Sequence, residues 1–249
     1  MLLGTASWAE GPTERRALVA RLASGRLADL NRIEAIRLRK LGEGNPEGLA
    51  EVLVPSSLRR VLEGGPRALA RVRQTVAYAE KWDRRGTLPE PLAPRPDSVA
   101  LLPCLPRPSA LRRADGQALE RFAIKGPASE LAAIPQPSLA VVGLAGDAIA
   151  GFCLSLAGGG ATILGAWMTD EWPTGNLELK VGGVRRAAPL KAWEGLALPP
   201  LHAGEVLLLP PPKLKPFPEL LAGAEGRVSA GFDQMTFRLG PEGVHPTVQ

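Results

Sequence analysis

Ile134-Pro-Gln-Pro-Ser-Leu-Ala-Val-Val-Gly143 is the stretch on which the reading of this chain turns. Leu139 to Val142 is a short apolar run that ends at Gly143, the pattern of a buried strand. Gln136 and Ser138 stand just before it. On an extended backbone, residues i and i+2 point to the same side. Two carboxylates at that spacing can hold one hard cation, because Mg²⁺, Mn²⁺ and Ca²⁺ prefer carboxylate oxygens. Here the two positions carry an amide and a hydroxyl. The stretch has the layout of a metal-binding strand without its charge.

Around it, strand candidates recur with turn signals between them. They are Val99–Leu102, Phe122–Ile124, Gly151–Leu156, Thr162–Met168, Leu177–Val181, Glu205–Leu209, Gly226–Ala230 and Met235–Leu239. Gly158-Gly-Gly160 and Val181-Gly-Gly183 read as hairpin turns. Gly and Pro together number 53, with most of the Pro after residue 88, which suits short strands rather than helices.

The N-terminal side reads differently. From Thr13, taken as an N-cap, the positions Leu18, Leu22, Leu30, Ile33 and Leu41 follow roughly helical spacing. Gly42-Glu-Gly-Asn-Pro46 stops that helix, a short amphipathic piece spans Ser57 to Leu62, and Pro66 opens a second helix with Leu69, Val72, Val76 and Ala79 on one face. The expectation is an α+β protein: a helical, basic region over 1–95 on a mixed β-rich body over 96–249.

Charge divides along the same line. Residues 1–95 hold 17 Lys and Arg against 11 Asp and Glu, whereas residues 96–249 hold 13 against 14. Arg15, Arg16, Arg21, Arg26, Arg32, Arg37, Arg39 and Lys40 could line one stripe facing nucleic-acid phosphates. Interleaved Glu14, Asp29 and Glu34, and the lack of a reader motif, weigh against nucleic acid as the partner. No apolar run reaches the roughly 18 residues of a membrane span, so no membrane is expected. Met1-Leu-Leu-Gly-Thr-Ala-Ser-Trp8 lacks the basic start and apolar block of a signal peptide. Cys104 and Cys153 are too few for a disulfide framework, and together these features suit a cytoplasmic chain with reduced, buried thiols. His202 and His245 show no zinc spacing and read as structural or solvated, with His245 in a mobile tail. Asp170-Glu171, between Trp167 and Trp172, reads as a strand end at the surface with an aromatic rim.

The order of motifs resembles the fumarylacetoacetate hydrolase-like family over residues 55–240. Leu58-x-x-Val-Leu-x-Gly-Gly-Pro-x-Ala-Leu-Ala70 is similar to its helical segment, and Phe122-Ala-Ile-Lys-Gly-Pro127 to its Phe-x-Lys-x-Pro strand. Pro137-Ser-Leu-Ala-Val-Val-Gly143 resembles its Glu-Leu-Ala-Val-Val-Ile-Gly strand, and Gly165-Ala-Trp-Met-Thr169 its Gly-Pro-Trp-Leu-Val-Thr passage. Leu177-Glu-Leu-Lys-Val-Gly-Gly183 and Leu201-His-Ala-Gly-Glu-Val206 match its later hairpin and turn. The resemblance implies a body of that fold, a homodimer, and a divalent metal on strand glutamates and aspartates that polarises an oxo-acid substrate. It also implies a His-Glu base pair in a loop, and a lysine near the metal.

This chain departs from that pattern at each chemical position. Gln136 and Ser138 fall where the glutamates belong, Ser155 and Ala157 where an aspartate belongs, and Pro108 to Phe122 is too short for the base loop and holds no His. What the resemblance leaves is a pocket near Lys125, Gln136, Ser138 and Trp167, with no metal ligand and no catalytic side chain that the sequence names. The expected function is a catalytically degenerate binding or assembly subunit with no cofactor. The alternative is an enzyme that hydrolyses, isomerises or decarboxylates a small oxo-acid through a rearranged site, for which Mg or Mn would be needed.

Overall fold

The structure is a computed structural model that describes residues 1–114, 118–119, 136–158, 161–193, 197–209, 224–240 and 243–248. It opens with strands. β1 (Leu2–Glu10) and β2 (Thr13–Arg21) form a hairpin in which Glu10 pairs with Thr13 across Gly11-Pro12. Gly11 takes a φ of +60°, as the first central residue of a II′ turn requires. β3 (Leu27–Asp29) then pairs with β2.

The helix expected from Thr13 is therefore corrected to a strand as far as Arg21. Its apolar run Ala17 to Ala20 is buried throughout, because both faces of β2 are covered. Leu18 and Ala20 join the core under the helices, and Val19 joins a cluster with Trp167 on the other side. A short run buried on both faces has no period that separates strand from helix.

The helices follow. α1 (Leu30–Lys40) is capped by Asp29, whose side chain accepts from Arg32 N. α2 (Pro46–Leu53) starts at the same Asn45-Pro46 that was read as a stop: the Asn45 side chain accepts from Gly48 N, and Pro46 takes the first helical position. α3 (Leu58–Glu63) and α4 (Gly65–Asp83) complete the layer, with Leu69, Val72, Thr75 and Ala79 of α4 buried.

The body is built on β4 (Ala100–Leu102), β5 (Ala110–Arg113), β6 (Ala118–Leu119), β7 (Gln136–Leu144), β8 (Ala148–Gly158), β9 (Ala161–Thr169) and β12 (Glu205–Leu209). With β1 to β3 these make one sheet in the order β3-β2-β1-β9-β8-β7-β12-β5-β6, with β4 also on β1. β10 (Asn176–Val181), β11 (Val184–Pro189), β13 (Glu225–Ala230), β14 (Asp233–Gly240) and β15 (Gly243–Val248) form a second, antiparallel sheet in the order β11-β10-β13-β14-β15. The β10–β11 turn is Gly182-Gly183 with φ of +53° and +83°, the paired positive φ of a I′ turn. Gly159 and Gly160 of the expected turn and the Phe122–Ile124 strand lie outside the described residues, while Gly158 ends β8 and pairs with Ala161 of β9. His245 sits within β15 rather than in a mobile tail, its backbone paired with Arg238.

Side-chain alternation stacks three layers. Ala140 and Val142 of β7, with Cys153 and Met168, face the helices and pack with Ile33, Leu62, Leu69 and Val72. Leu139 and Val141, with Leu154, Leu207 and Leu209, face the second sheet and pack on Leu177, Leu179, Val228 and Met235. Each fully buried aliphatic side chain contributes about 1.5–3 kcal/mol, so this two-sided central sheet supplies most of the driving force. Among the described residues the architecture is a mixed, β-rich body with its α-helices within residues 30–83.

Candidate functional site

β7 carries the stretch that decides the reading. Its first residue, Gln136, pairs through the backbone with Ala157 of β8, and Ser138 pairs with Ser155. Ser138 and Ser155 are both buried, and Ser155 Oγ lies 3.5 Å from the Ser138 carbonyl that can accept from it. Cys153, two residues along the same strand, and Cys104 are fully buried on the helix-facing side. The Cys153 thiol is held well above its ordinary range, first by its hydrogen bond with Cys104, then by burial. Ser138, Ser155, Cys153 and Cys104 thus bring hydroxyls and thiols here, and none of the four is an anionic oxygen.

The four fully or nearly buried carboxylates among the described residues are committed elsewhere. Asp29 caps α1 and takes Arg15 at 2.7 Å. Glu34 takes Arg71 and Thr75. Glu205 takes Arg112 and the backbone N–H of His202. Asp233 takes backbone amides. Among the described residues no three metal-ligating side chains converge. A divalent ion of the kind the family resemblance implies does not fit the Ser138–Ser155 face, because a hard cation needs anionic oxygen there.

Of the pocket expected from sequence, only the Ser138 and Trp167 side chains are described. Lys125 lies outside the described residues. Ser138 has the parity of Ala140 and Val142 and so faces the helices. Trp167 neighbours the helix-facing Met168 on β9, and turns the opposite way to pack against Phe232 from the second sheet. Ser138 and Trp167 thus lie on opposite faces of one sheet.

On the Trp167 side the sequence reading missed Asp233, the first residue of β14. β9 bulges between Leu164 and Met168, which leaves amides there without partners on β8. The Asp233 carboxylate enters this gap. Its Oδ2 accepts from Trp167 N at 3.3 Å and its Oδ1 from Gln234 N at 2.8 Å, and the Ala166 amide adds a further bond. Burial pushes the carboxyl up to about 7, against these three amides and the charge of Arg21. Arg21, Trp167, Phe232, Asp233 and Gln234 line a cavity of about 250 Å³. The signal in the sequence was Gly165, whose missing side chain makes room for this carboxylate.

Other expectations resolve at named contacts. Asp170 is not a solvated strand end: it receives the Met1 amino group and Arg73 Nε, each at 2.9 Å, tying β9 to α4. Burial alone would raise its carboxyl, but these two cations hold it below the ordinary value. His202 is exposed, with Nδ1 3.2 Å from Asp147 Oδ1. The basic residues do not form one stripe. Arg15, Arg16 and Arg21 lie on β2, while Arg15, Arg26, Arg32, Arg37 and Arg39 pair with Asp29, Asp83, Glu10, Glu34 and Glu47. No helix among the described residues is long and apolar enough to cross a membrane.

No protein-family model and no curated protein matches the sequence. The structure does match solved ones. Maleylpyruvate hydrolase from Sphingobium sp. SYK-6 superposes with a TM-score of 0.56 at 14% identity, over 96% of this chain and 99% of that one. The same hydrolase in complex with manganese(II) ion and pyruvate superposes with a TM-score of 0.55 at 13% identity, over the same shares. The chain has the fold of maleylpyruvate hydrolase, the fumarylacetoacetate hydrolase-like fold to which the order of its motifs points.

Proposed function

We propose that this chain is a binding or assembly subunit on a fumarylacetoacetate hydrolase-like scaffold, working without divalent-metal chemistry. It pairs as a homodimer and takes a small oxo-acid in the cavity beside Trp167, where Arg21 supplies the cation for a carboxylate. One observation carries this reading: the buried pair Ser138–Ser155 presents neutral oxygens where the resemblance places carboxylates. The related hydrolase has been solved with manganese(II) and pyruvate, which supplies the comparison. The test is thermal melting of the full chain with Mn²⁺ and with Mg²⁺. A site saturated a hundredfold above its Kd stabilises by about 2.7 kcal/mol, several degrees for a chain of this size. An unchanged melting temperature is expected, and a saturable rise overturns the reading.

Asp233 favours a second reading, in which the chain is an enzyme acting on a small oxo-acid. A carboxyl titrating near neutrality on a cavity wall can give and take a proton. Turnover of acylpyruvates that disappears in Asp233→Asn, while that variant keeps its fold by circular dichroism, would select this reading over the first.

A further inference from the structure

More than half of the positive charge of the helical layer is spent in ion pairs, and three of the five remaining cations are gathered in one place. Of the twelve Lys and Arg residues between Leu30 and Gly86, seven are in ion pairs: Arg32, Arg37, Arg39, Arg59, Arg60, Arg71 and Arg73. Among the described residues Lys40, Arg67, Lys81, Arg84 and Arg85 have no ion-pair partner, and Lys40, Lys81 and Arg85 are exposed around one cavity of about 300 Å³. Tyr78, Trp82 and Thr87 complete its wall. The two carboxylates in the last turn of α4 cannot neutralise these cations, because both are engaged on the far side. Glu80 accepts from Ala23 N at 2.8 Å and Asp83 pairs with Arg26 at 2.8 Å.

Cations at helix C-termini ordinarily balance the negative end of the helix dipole. Here the terminal carbonyls already have backbone partners. Arg37, Leu38 and Arg39 of α1 receive Leu41, Glu43 and Gly42, while Glu80, Trp82 and Asp83 of α4 receive Arg84, Arg85 and Gly86. The side-chain cations therefore remain available to a ligand. Lys40 Nζ stands 4.6 Å from the Trp82 ring centre and 3.3 Å from Tyr78 Oη. Since Tyr78 Oη accepts from Lys40, its own proton is free to donate into the cavity, as is the Thr87 hydroxyl. Three cations and two hydroxyl donors, with no carboxylate in the wall, are complementary to a compact dianion with several oxygens.

We propose that this cup, between the C-terminal ends of α1 and α4, binds the phosphate group of a small phosphomonoester. It is separate from the Trp167–Asp233 cavity and does not depend on the function assigned to that cavity. Calorimetric titration of the full chain with inorganic phosphate and with glycerol 3-phosphate, at constant ionic strength set with chloride, tests it. Both should bind saturably, the monoester at least as tightly as phosphate. Binding should weaken at least tenfold in Lys81→Ala/Arg85→Ala and in Lys40→Ala, whose exposed positions leave the melting temperature unchanged. Arg39→Ala, which removes a neighbouring but paired cation, should bind as the parent does. Heats no larger than for added chloride, or binding indifferent to the Lys81 and Arg85 changes, overturn the proposal. So does a single-stranded oligonucleotide that binds more tightly than the monoester through the same residues and loses affinity steeply with salt, which would make the surface a polyanion track.

Discussion

Asp233 fills the space that a side chain at Gly165 would need: a Cβ built on Gly165 would lie 2.0 Å from Asp233 Oδ2. The contact links the two sheets, since β14 sends its carboxylate to the backbone of β9. Gly165→Ala should therefore expel the carboxylate, strand the Ala166 and Trp167 amides, and cost about 3 kcal/mol or more. Gly231→Ala, whose nearest neighbour would be 3.8 Å away, is the matched control and should cost well under 1 kcal/mol. Urea midpoints for the two variants decide it: equal losses would mean that the notch contributes nothing.

The same carboxyl should leave a mark on the pH dependence of stability. Its value is about 7 in the folded chain against an ordinary 3.8. Below about pH 4 both folded and unfolded chains carry the proton. Between about 4 and 7 the folded chain holds a proton that the unfolded chain has released, so stability falls as pH rises and levels off above about 7. The full effect is on the order of 4 kcal/mol. Other carboxylates add slopes of their own, so the comparison is parent against Asp233→Asn. The difference in unfolding free energy between them should vary through that window; a constant difference would place the carboxyl back in the ordinary range.

The strands of the body were legible because turn residues bracket them: Leu139–Val142, Leu177–Val181 and Met235–Leu239 all fall inside observed strands. α4 was legible from Pro66 and its apolar face. β2 was not, since a run buried on both sides lacks the alternation that marks a strand. α2 was hidden by Asn45-Pro46, which ends one helical pattern and begins the next. Within the candidate site Trp167 could be found from its motif, whereas Asp233 could not. Its meaning depends on a glycine distant in the chain and on a bulge that only the folded sheet displays.

Glu34 shows how a buried charge ties the helices together. Its side chain is fully buried, its Oε1 receives Arg71 Nε at 2.9 Å and its Oε2 receives Thr75 Oγ1 at 2.8 Å, so α1 and α4 are joined by one carboxylate. Glu34→Ala would leave the Arg71 charge and the Thr75 hydroxyl without their partner, at a cost of about 3–5 kcal/mol. The Arg39–Glu47 pair is about as close but exposed, and Arg39→Ala should cost less than about 1 kcal/mol. Thermal or urea unfolding of the two single variants checks the contrast, and similar costs would show that burial does not set the strength of these pairs.

Cys104 and Cys153 supply a kinetic readout of the same region. Both thiols are free and fully buried, and Cys153 is pushed well up by Cys104, by burial and by the nearby charge of Asp233. Thiolate, not thiol, attacks a disulfide reagent, so at pH 8 a solvent-exposed cysteine, with a pKa of about 8.5, reacts readily. Neither thiol should react in the folded chain except through opening, and both should react at once in denaturant. Cys104 also donates its backbone N–H to the Gly165 carbonyl at 2.8 Å, so the thiols sit behind the notch that Asp233 closes. Gly165→Ala should accordingly speed modification of the folded protein well beyond Gly231→Ala. A thiol that reacts in the parent as fast as free cysteine would show that this side of the sheet is open to solvent.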